Sequence, residues 1–163
     1  MRSFFLLGLI VLAACAPARL DRSSYANVNV ISNFLPDKGE AASYKVGEQV
    51  RFGFAVSQSG YLTLISYGAT GNTVPLESNL QLNTGKHVFP RADDRQGSAQ
   101  AAYLVGTPTG NNRVILIYTN APIKTLPRGK FDQGQLDAAV KTAIESSRAS
   151  QVDLAETAIE VTP

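Results

Sequence analysis

The sequence predicts a mainly β protein, a β-sandwich of about seven short strands followed by one helix. Apolar residues alternate with other residues in several short stretches, and turns rich in Gly, Asn and Pro separate those stretches. The spacing becomes helical only near the C-terminal end. Period-two alternation bounded by turn residues is typical of strands, and a succession of such strands is typical of a sandwich.

The composition limits the classes of protein that need to be considered. The chain has 163 residues, one Cys and a formal net charge of +2. That length predicts one domain whose hydrophobic core needs neither disulfides nor metals. The 15 basic residues are scattered along the chain. Because nucleic-acid binding relies on clustered basic charge, we expect no nucleic-acid partner.

The N-terminal residues 1–14 have the features of a signal peptide. One Arg precedes the apolar run Phe4 to Ala14, which is too short to cross a bilayer. The run ends in Leu12-Ala13-Ala14-Cys15, which resembles the lipobox of bacterial lipoproteins and implies a lipid on Cys15. The alternative is an ordinary signal peptide with an incidental Cys. Residue 16 is Ala and not Asp, which by analogy with enteric bacteria favours the outer membrane.

The segment after Cys15 is predicted to be a tether that leads into the first strand. Residues 15–24 are short, polar and contain Pro, as expected of a lipidated tether. Tyr25 to Ile31 alternates loosely and is predicted to be a half-buried strand. Residues 33–40 include Pro36, Asp37 and Gly39 and are predicted to form a turn.

The clearest strands lie in the middle of the chain. Val50 to Val56 alternates strictly, which predicts one face on a core. The stretch from Gly60 to Asn79 organises the domain: a strand over Tyr61 to Tyr67, a turn at Gly71-Asn72, then extended chain again. In its strand, Leu62 and Leu64 share one face while Tyr61, Ile65 and Tyr67 share the other. We therefore expect this strand to be covered on both sides.

Four shorter stretches complete the predicted set of strands. They are Val74 to Leu76, His87 to Phe89, Ala101 to Val105, and Val114 to Tyr118. The polar residues 78–86 are predicted to separate the first two, and the charged residues 91–98 are predicted to form a solvated loop. The last stretch is continuous and β-branched, which is typical of a central buried strand.

From Asp132 onward the spacing of apolar residues changes from that of a strand to that of a helix. The apolar residues at helical spacing form one narrow stripe, Leu136, Ala139, Val140, Ala143 and Ile144. Asp132 is predicted to cap this helix, with Gln135 completing a capping box. We expect the helix to pack on the sandwich rather than on a membrane, because its flanks carry little basic charge. Val152 to Pro163 alternates weakly and is predicted as a final edge strand. The predicted division is a sandwich over residues 25–123 and a C-terminal extension over residues 124–163.

A family resemblance follows from a series of structural residues. Tyr44-x-Val46-Gly47-Glu48-x-Val50-x-Phe52 is followed by Ser59-Gly60-Tyr61-Leu62, by Gly71 with Pro75-Leu76 and Asn79, and by Gly85 with Phe89-Pro90. This series resembles the bacterial envelope family called domain of unknown function 4384. The resemblance implies an immunoglobulin-like sandwich in an exported protein, and it implies no activity. Members often have Pro-Asn where this chain has Leu76-Glu77-Ser78-Asn79, so the turn there is expected to differ.

The residues that carry chemistry in other proteins are sparse here. His87 is the only His, and the chain has no G-x-S-x-G motif, so we expect no hydrolase site. One His and one Cys are too few for a metal site, so neither a metal nor a cofactor is expected. Asp93-Asp94 lacks the oxygen spacing of a calcium loop and is interpreted as part of a solvated loop. The glycines do not form a phosphate-binding loop.

Contact, not catalysis, is therefore the expected mode of action. Our leading hypothesis is a non-enzymatic, lipid-anchored envelope module that docks onto another envelope protein, in an outer-membrane or surface-layer complex. The alternative is a sandwich that binds a small ligand or a cell-wall glycan through Tyr67, His87 or Tyr103. The tyrosines Tyr61, Tyr67, Tyr103 and Tyr118 are interpreted as core or edge residues more readily than as one patch. The partner and the oligomeric state stay open.

Overall fold

The computed structural model describes residues 19–91 and 101–163. Within those residues the chain forms eleven strands, one short 3-10 helix over Arg22–Ser24 and one α-helix. The elements are β1 (Ile31–Pro36), β2 (Ser43–Lys45), β3 (Gln49–Val50), β4 (Phe52–Val56), β5 (Gly60–Tyr67), β6 (Asn72–Leu82), β7 (Gly85–Phe89), β8 (Tyr103–Leu104), β9 (Gly110–Thr119), β10 (Gly129–Lys130), α1 (Gln133–Ser147) and β11 (Val152–Thr162).

The strands form two main sheets and one small one. The larger sheet has six strands in the order β10-β6-β5-β9-β11-β2, and the smaller has three in the order β1-β4-β7. β3 and β8 form a two-stranded sheet. Pairing is antiparallel except between β11 and β2, which run parallel. The predicted mainly β fold is confirmed, with more strands than the sequence indicated.

The two main sheets face each other across one hydrophobic core. The smaller sheet contributes aromatic residues, with the rings of Phe54 and Phe89 4.8 Å apart and Phe34 against Phe52 at 5.9 Å. The larger sheet contributes Leu62, Leu64 and Leu116, among others. Every second residue of β4 is buried, as its alternation predicted. Inner faces that interdigitate in this way define a β-sandwich.

The opposite face of the larger sheet is covered by α1. Ile65 and Ile117 of the sheet form a second core cluster with Leu136 and Val140 of the helix. Successive strand residues point to opposite faces, so Leu64 lies in one core and Ile65 in the other. The prediction that β5 is covered on both sides is confirmed. The molecule thus has three layers: the smaller sheet, the larger sheet and the helix.

The helix begins at the predicted cap. Gln135 donates its backbone N–H to Asp132 Oδ1 at 2.8 Å, and Asp132 donates its own N–H to Gln135 Oε1 at 3.0 Å. This reciprocal pair is a capping box, which satisfies two backbone donors that the helix would leave unpaired. The helix ends at Arg148, whose left-handed backbone (φ 55°) closes the last turn.

The prediction for the first strand was wrong. Of Tyr25 to Ile31, only Ile31 lies in a strand, and β1 continues through Pro36 into the predicted turn. The reason is a set of long-range contacts: Asn27 Nδ2 donates to the Ser150 carbonyl at 2.7 Å, and Val152 N–H donates to Asn27 Oδ1 at 2.9 Å. These side-chain bonds hold the segment against β11 without a strand ladder. The turn occurs later, where Gly39 N–H donates to the Pro36 carbonyl.

The strand β6 is much longer than predicted. It runs from Asn72 to Leu82 and takes in residues that were predicted to form a polar separating segment. Only Asn83 and Thr84 remain between β6 and β7. A strand at the edge of a sheet tolerates polar side chains, which is why its composition resembles that of a loop.

The final strand forms as predicted, but it lies inside the larger sheet and not at its edge. β11 pairs with β9 along its whole length, from Val152 opposite Thr119 to Val161 opposite Gly110. On its other side, Glu160 to Thr162 pair with β2. The extension at residues 124–163 therefore completes the same sandwich, because it supplies both the helical layer and an inner strand.

Candidate functional site

Two of the sequence-predicted positions lie outside the described residues. Cys15 falls within residues 1–18, and Asp93-Asp94 falls within residues 92–100. Lipid attachment at Cys15 therefore stays a prediction. Among the residues that the structure covers, no helix is both long and apolar enough to span a bilayer.

His87 occupies an edge strand, as expected. It lies on β7, its Nε2 is 2.7 Å from the Asn83 carbonyl oxygen, and its ring is 5.6 Å from that of Phe54. The ring thus covers one side of the aromatic core. In residues 19–91 and 101–163, no three His, Cys, Asp or Glu side chains lie close enough together to hold a metal ion.

The structure separates the tyrosines that the sequence offered as a patch. Tyr118 is buried between the sheets and donates its hydroxyl to the Ser59 carbonyl at 3.2 Å. Tyr67 lies on the helix side, with its hydroxyl donating to the Phe131 carbonyl. Tyr103 lies on β8, with its hydroxyl donating to Glu77 Oε1 at 2.5 Å. Tyr67, His87 and Tyr103 therefore do not form one ligand-binding face.

An open pocket at one end of the sandwich is the best candidate site. Its volume is about 180 Å³, and it lies between the larger sheet and the two-stranded sheet of β3 and β8. Buried apolar side chains form much of its lining, including Phe52, Val105 and Val114. The loop after β8 completes the wall with Gly106, Thr107 and Pro108.

The mouth of the pocket exposes apolar side chains to solvent. Leu104 is 71% exposed and Val74 is 46% exposed, and both line the pocket. Leu104 is the most exposed of the large hydrophobic residues in the part of the chain that is described. Its place next to an apolar pocket makes a continuous apolar surface from the mouth to the core. Such a surface is typical of an interaction site.

The polar atoms of the pocket are neutral. None of the residues that line it carries a charge, and its polar side chains come from Ser66, Asn72, Tyr103, Thr107 and Asn112. Asn112 already bonds within the protein, since its Nδ2 donates to the Gly110 carbonyl and its Oδ1 accepts from the Ala69 N–H. A neutral or apolar group is the chemistry that this lining accommodates.

The groups with shifted pKa lie away from the pocket. Burial raises the pKa of Tyr118, and burial together with a hydrogen bond to Asp37 raises the pKa of Tyr44 to about 12. Burial, then the adjacent Asp137 carboxylate, raises the pKa of Tyr25. A hydrogen bond from Lys38 lowers the pKa of Glu48. These shifts follow from packing and ion pairing in the sandwich itself.

Sequence reasoning missed the pocket because no local motif encodes it. Its lining comes from β3, β4, β5, β6, β8, β9 and β11, which are far apart in the chain. The one local signal was Leu104, a large apolar residue in the stretch Ala101 to Val105 that was predicted to be a short strand. Its solvent exposure is visible only once β8 is paired with β3.

The fold is a three-layered β-sandwich with a partly apolar pocket at one end. Residues 43–122 match the family model described as Domain of unknown function (DUF4384), so the chain carries a DUF4384 domain. The matched stretch begins at β2 and ends just after β9, so β1, β10, α1 and β11 complete the sandwich from outside it. No curated protein and no solved structure matches the chain.

Proposed function

We propose that this protein is a lipid-anchored module of the cell envelope that acts by docking onto another envelope protein, as an accessory subunit of an outer-membrane or surface-layer complex. The observation that carries the proposal is the apolar pocket whose mouth is formed by the exposed Leu104. Interfaces place their strongest contacts where one side chain fills such a pocket and water is excluded around it.

The size of the pocket favours docking over binding of a large ligand. Drug-sized ligands occupy roughly 300–1,000 Å³. This pocket measures about 180 Å³. An apolar cavity of about 150 Å³ holds a benzene-sized ring, so a single apolar side chain of a partner is the occupant of matching size.

The anchor part of the proposal depends on the sequence at Cys15. In wild-type cells the mature protein should fractionate with membranes and carry a lipid on this residue. Cys15→Ser should abolish both membrane fractionation and labelling with a fatty-acid analogue. If the variant still partitions with membranes, the lipid anchor is wrong, whatever the pocket does.

The docking part is tested by crosslinking at the pocket mouth in the native envelope. A photoreactive amino acid at position 104 should give one discrete adduct with another envelope protein. The matched control is the same amino acid at position 88, because Val88 is also an exposed hydrophobic (45%) but lies on the smaller sheet. Adducts at both positions, or at neither, would count against docking at the pocket.

The alternative function, binding of a small ligand or a cell-wall glycan, has a separate test. A ligand that binds only the folded state raises the melting temperature, and the rise grows with the logarithm of the ligand concentration once that concentration exceeds Kd. Thermal-shift measurements with soluble cell-wall fragments should therefore give no shift if docking is the function. A shift that increases with fragment concentration and is lost in Leu104→Glu would replace docking with ligand binding at the same pocket.

A further inference from the structure

Most of the outer edge of β6, which lies beside the pocket, pairs with no other strand of residues 19–91 and 101–163. Among the residues that the structure describes, β10 is the only strand on the outer side of β6, and it pairs with Asn72 and Thr73 alone. The remainder of β6 continues to Leu82. The backbone N–H and C=O groups along such an edge are a template for another strand.

The side chains of β6 connect this edge to the pocket. Val74 and Leu76 share one face of the strand and both line the pocket, while Thr73 is buried on the opposite face. A strand added next to β6 would lie about 4.8 Å away, with alternate side chains on the same face as Val74 and Leu76. One of those side chains would then be positioned over the pocket.

From this arrangement we infer that the partner segment is an extended peptide that pairs with β6 and inserts one apolar side chain into the pocket. The inference rests on the proposed docking function and specifies how the docking occurs. In this mode of recognition the backbone bonds supply affinity and the pocket supplies specificity. The neutral lining of the pocket selects an uncharged anchor residue.

Charge at the rim adds a second element of specificity. The Glu77 carboxylate lies at the edge strand and is held by the Tyr103 hydroxyl, and Tyr103 itself lines the pocket. β6 is bulged next to Glu77, which lies opposite Leu64 of the core between the sheets, so Glu77 is on the pocket side as well. A Lys or Arg two residues from the anchor would lie on the same face of the peptide and meet this carboxylate. Pairing β6 with β6 of a second copy would instead bring two Glu77 carboxylates together, and like charges across a strand pair are unfavourable.

Pro75 limits where the peptide pairs. Proline has no backbone N–H, so β6 offers no donor at this position. The register of β6 against β5 also shifts on both sides of Glu77, so β6 is bulged there. The ladder is therefore expected to be interrupted at Pro75 and at the bulges. A short peptide of about six residues is sufficient to reach from the pocket to the end of β6.

The probe is a displayed library of random twelve-residue peptides, selected on the full chain in detergent. Enriched peptides should share an apolar anchor with Lys or Arg two positions away. In fluorescence anisotropy with one such peptide, N-methylation at alternate amides should weaken binding at least tenfold, while methylation at the intervening amides should not. Failure to enrich any peptide, or tolerance of every methylation, would overturn the inference.

Two glycine variants test whether the anchor enters the pocket. Gly106 lines the pocket and a Cβ there meets nothing within 4 Å, so Gly106→Leu should fill the pocket and weaken the peptide at least tenfold. Gly53→Leu is the matched control, because a Cβ there also meets nothing within 4 Å but the residue lies on β4. If Gly106→Leu melts well below wild type, Val74→Glu is used as the pocket variant instead, because Val74 lines the pocket and is exposed.

The outcomes separate this inference from the proposed function. A crosslinked partner at position 104 together with no selected peptide would leave docking in place and exclude strand pairing. Loss of both signals would reject docking as well. Equal weakening by Gly106→Leu and Gly53→Leu would place the peptide elsewhere and also overturn the inference.

Discussion

Arg22 and Asp153 form a two-pronged ion pair that joins the segment before β1 to the last strand. Arg22 Nε donates to Asp153 Oδ1 and Nη2 donates to Oδ2, each at 2.8 Å. The carboxylate is fully buried and also accepts the backbone N–H groups of Val30 and Ile31 at 2.7 Å. One side chain of the larger sheet thus holds the entry into the smaller sheet.

Replacing this carboxylate should destabilise the protein strongly. Asp153→Ala leaves two buried N–H groups without an acceptor, and we expect a loss of roughly 3–5 kcal/mol in unfolding free energy. Arg22→Ala should cost less, because Asp153 keeps its backbone donors and the Arg22 side chain is 44% exposed. Urea unfolding with an unchanged m-value measures both variants. Equal losses of unfolding free energy in the two variants would contradict the larger role given to Asp153.

The aromatic core predicts a second large effect. Phe54 is 4% exposed and its ring contacts Phe89 and His87. Phe54→Ala should lower the unfolding free energy by about 3–5 kcal/mol, since it removes buried area and leaves a cavity. Val88→Ala, at an exposed position on the neighbouring strand, should change it by less than about 0.5 kcal/mol. If Phe54→Ala had the melting temperature of wild type, the packing of Phe54 in the aromatic core would be refuted.

A buried ion pair beneath the helix predicts a non-additive mutant cycle. Arg113 Nη2 donates to Glu156 Oε2 at 2.8 Å, and the two side chains are only 2% and 5% exposed. Glu156→Leu alone leaves a buried cation and should cost roughly 3–5 kcal/mol. Adding Arg113→Met should recover most of that loss, because no charge then remains buried. Chemical denaturation of both single variants and the double variant gives the coupling, and additive losses would contradict it.

Alkaline pH should weaken the fold through Tyr44. Its pKa is raised from 10.0 to about 12, chiefly by burial and then by its hydrogen bond to Asp37. Below pH 10 the phenol is protonated whether the chain is folded or not. Between about pH 10 and 12 the unfolded chain loses this proton first, so the unfolding free energy falls as pH rises.

The variant Tyr44→Phe isolates that contribution. It removes the titrating hydroxyl, so its unfolding free energy should decline less steeply over the same pH interval. Part of the decline should persist, because the pKa values of Tyr25 and Tyr118 are also raised. Urea midpoints measured at several pH values test this. Parallel curves for variant and wild type would show that Tyr44 does not contribute.

The elements that could be predicted from the sequence are those whose burial pattern or cap is set by residues close together in the chain. The strict alternation of β4 and the capping box at Asp132 both needed only a few neighbouring residues, and both are confirmed. The placement of β1 needed Asn27 to meet β11, more than a hundred residues away. The inner position of β11 and the pocket depend on pairings of the same kind. No window of neighbouring residues contains that information.

The inner position of β11 also orders events during biogenesis. All the other strands of the two main sheets precede β11 in the chain. The edge of β9 that faces away from β5 therefore has no partner until β11 has been synthesised. The helix side of the sheet is likewise left uncovered until the chain has passed residue 133. A chain that is synthesised N-terminus first must therefore keep its apolar faces unfolded or shielded until synthesis is nearly finished. Closure of the domain would thus come last.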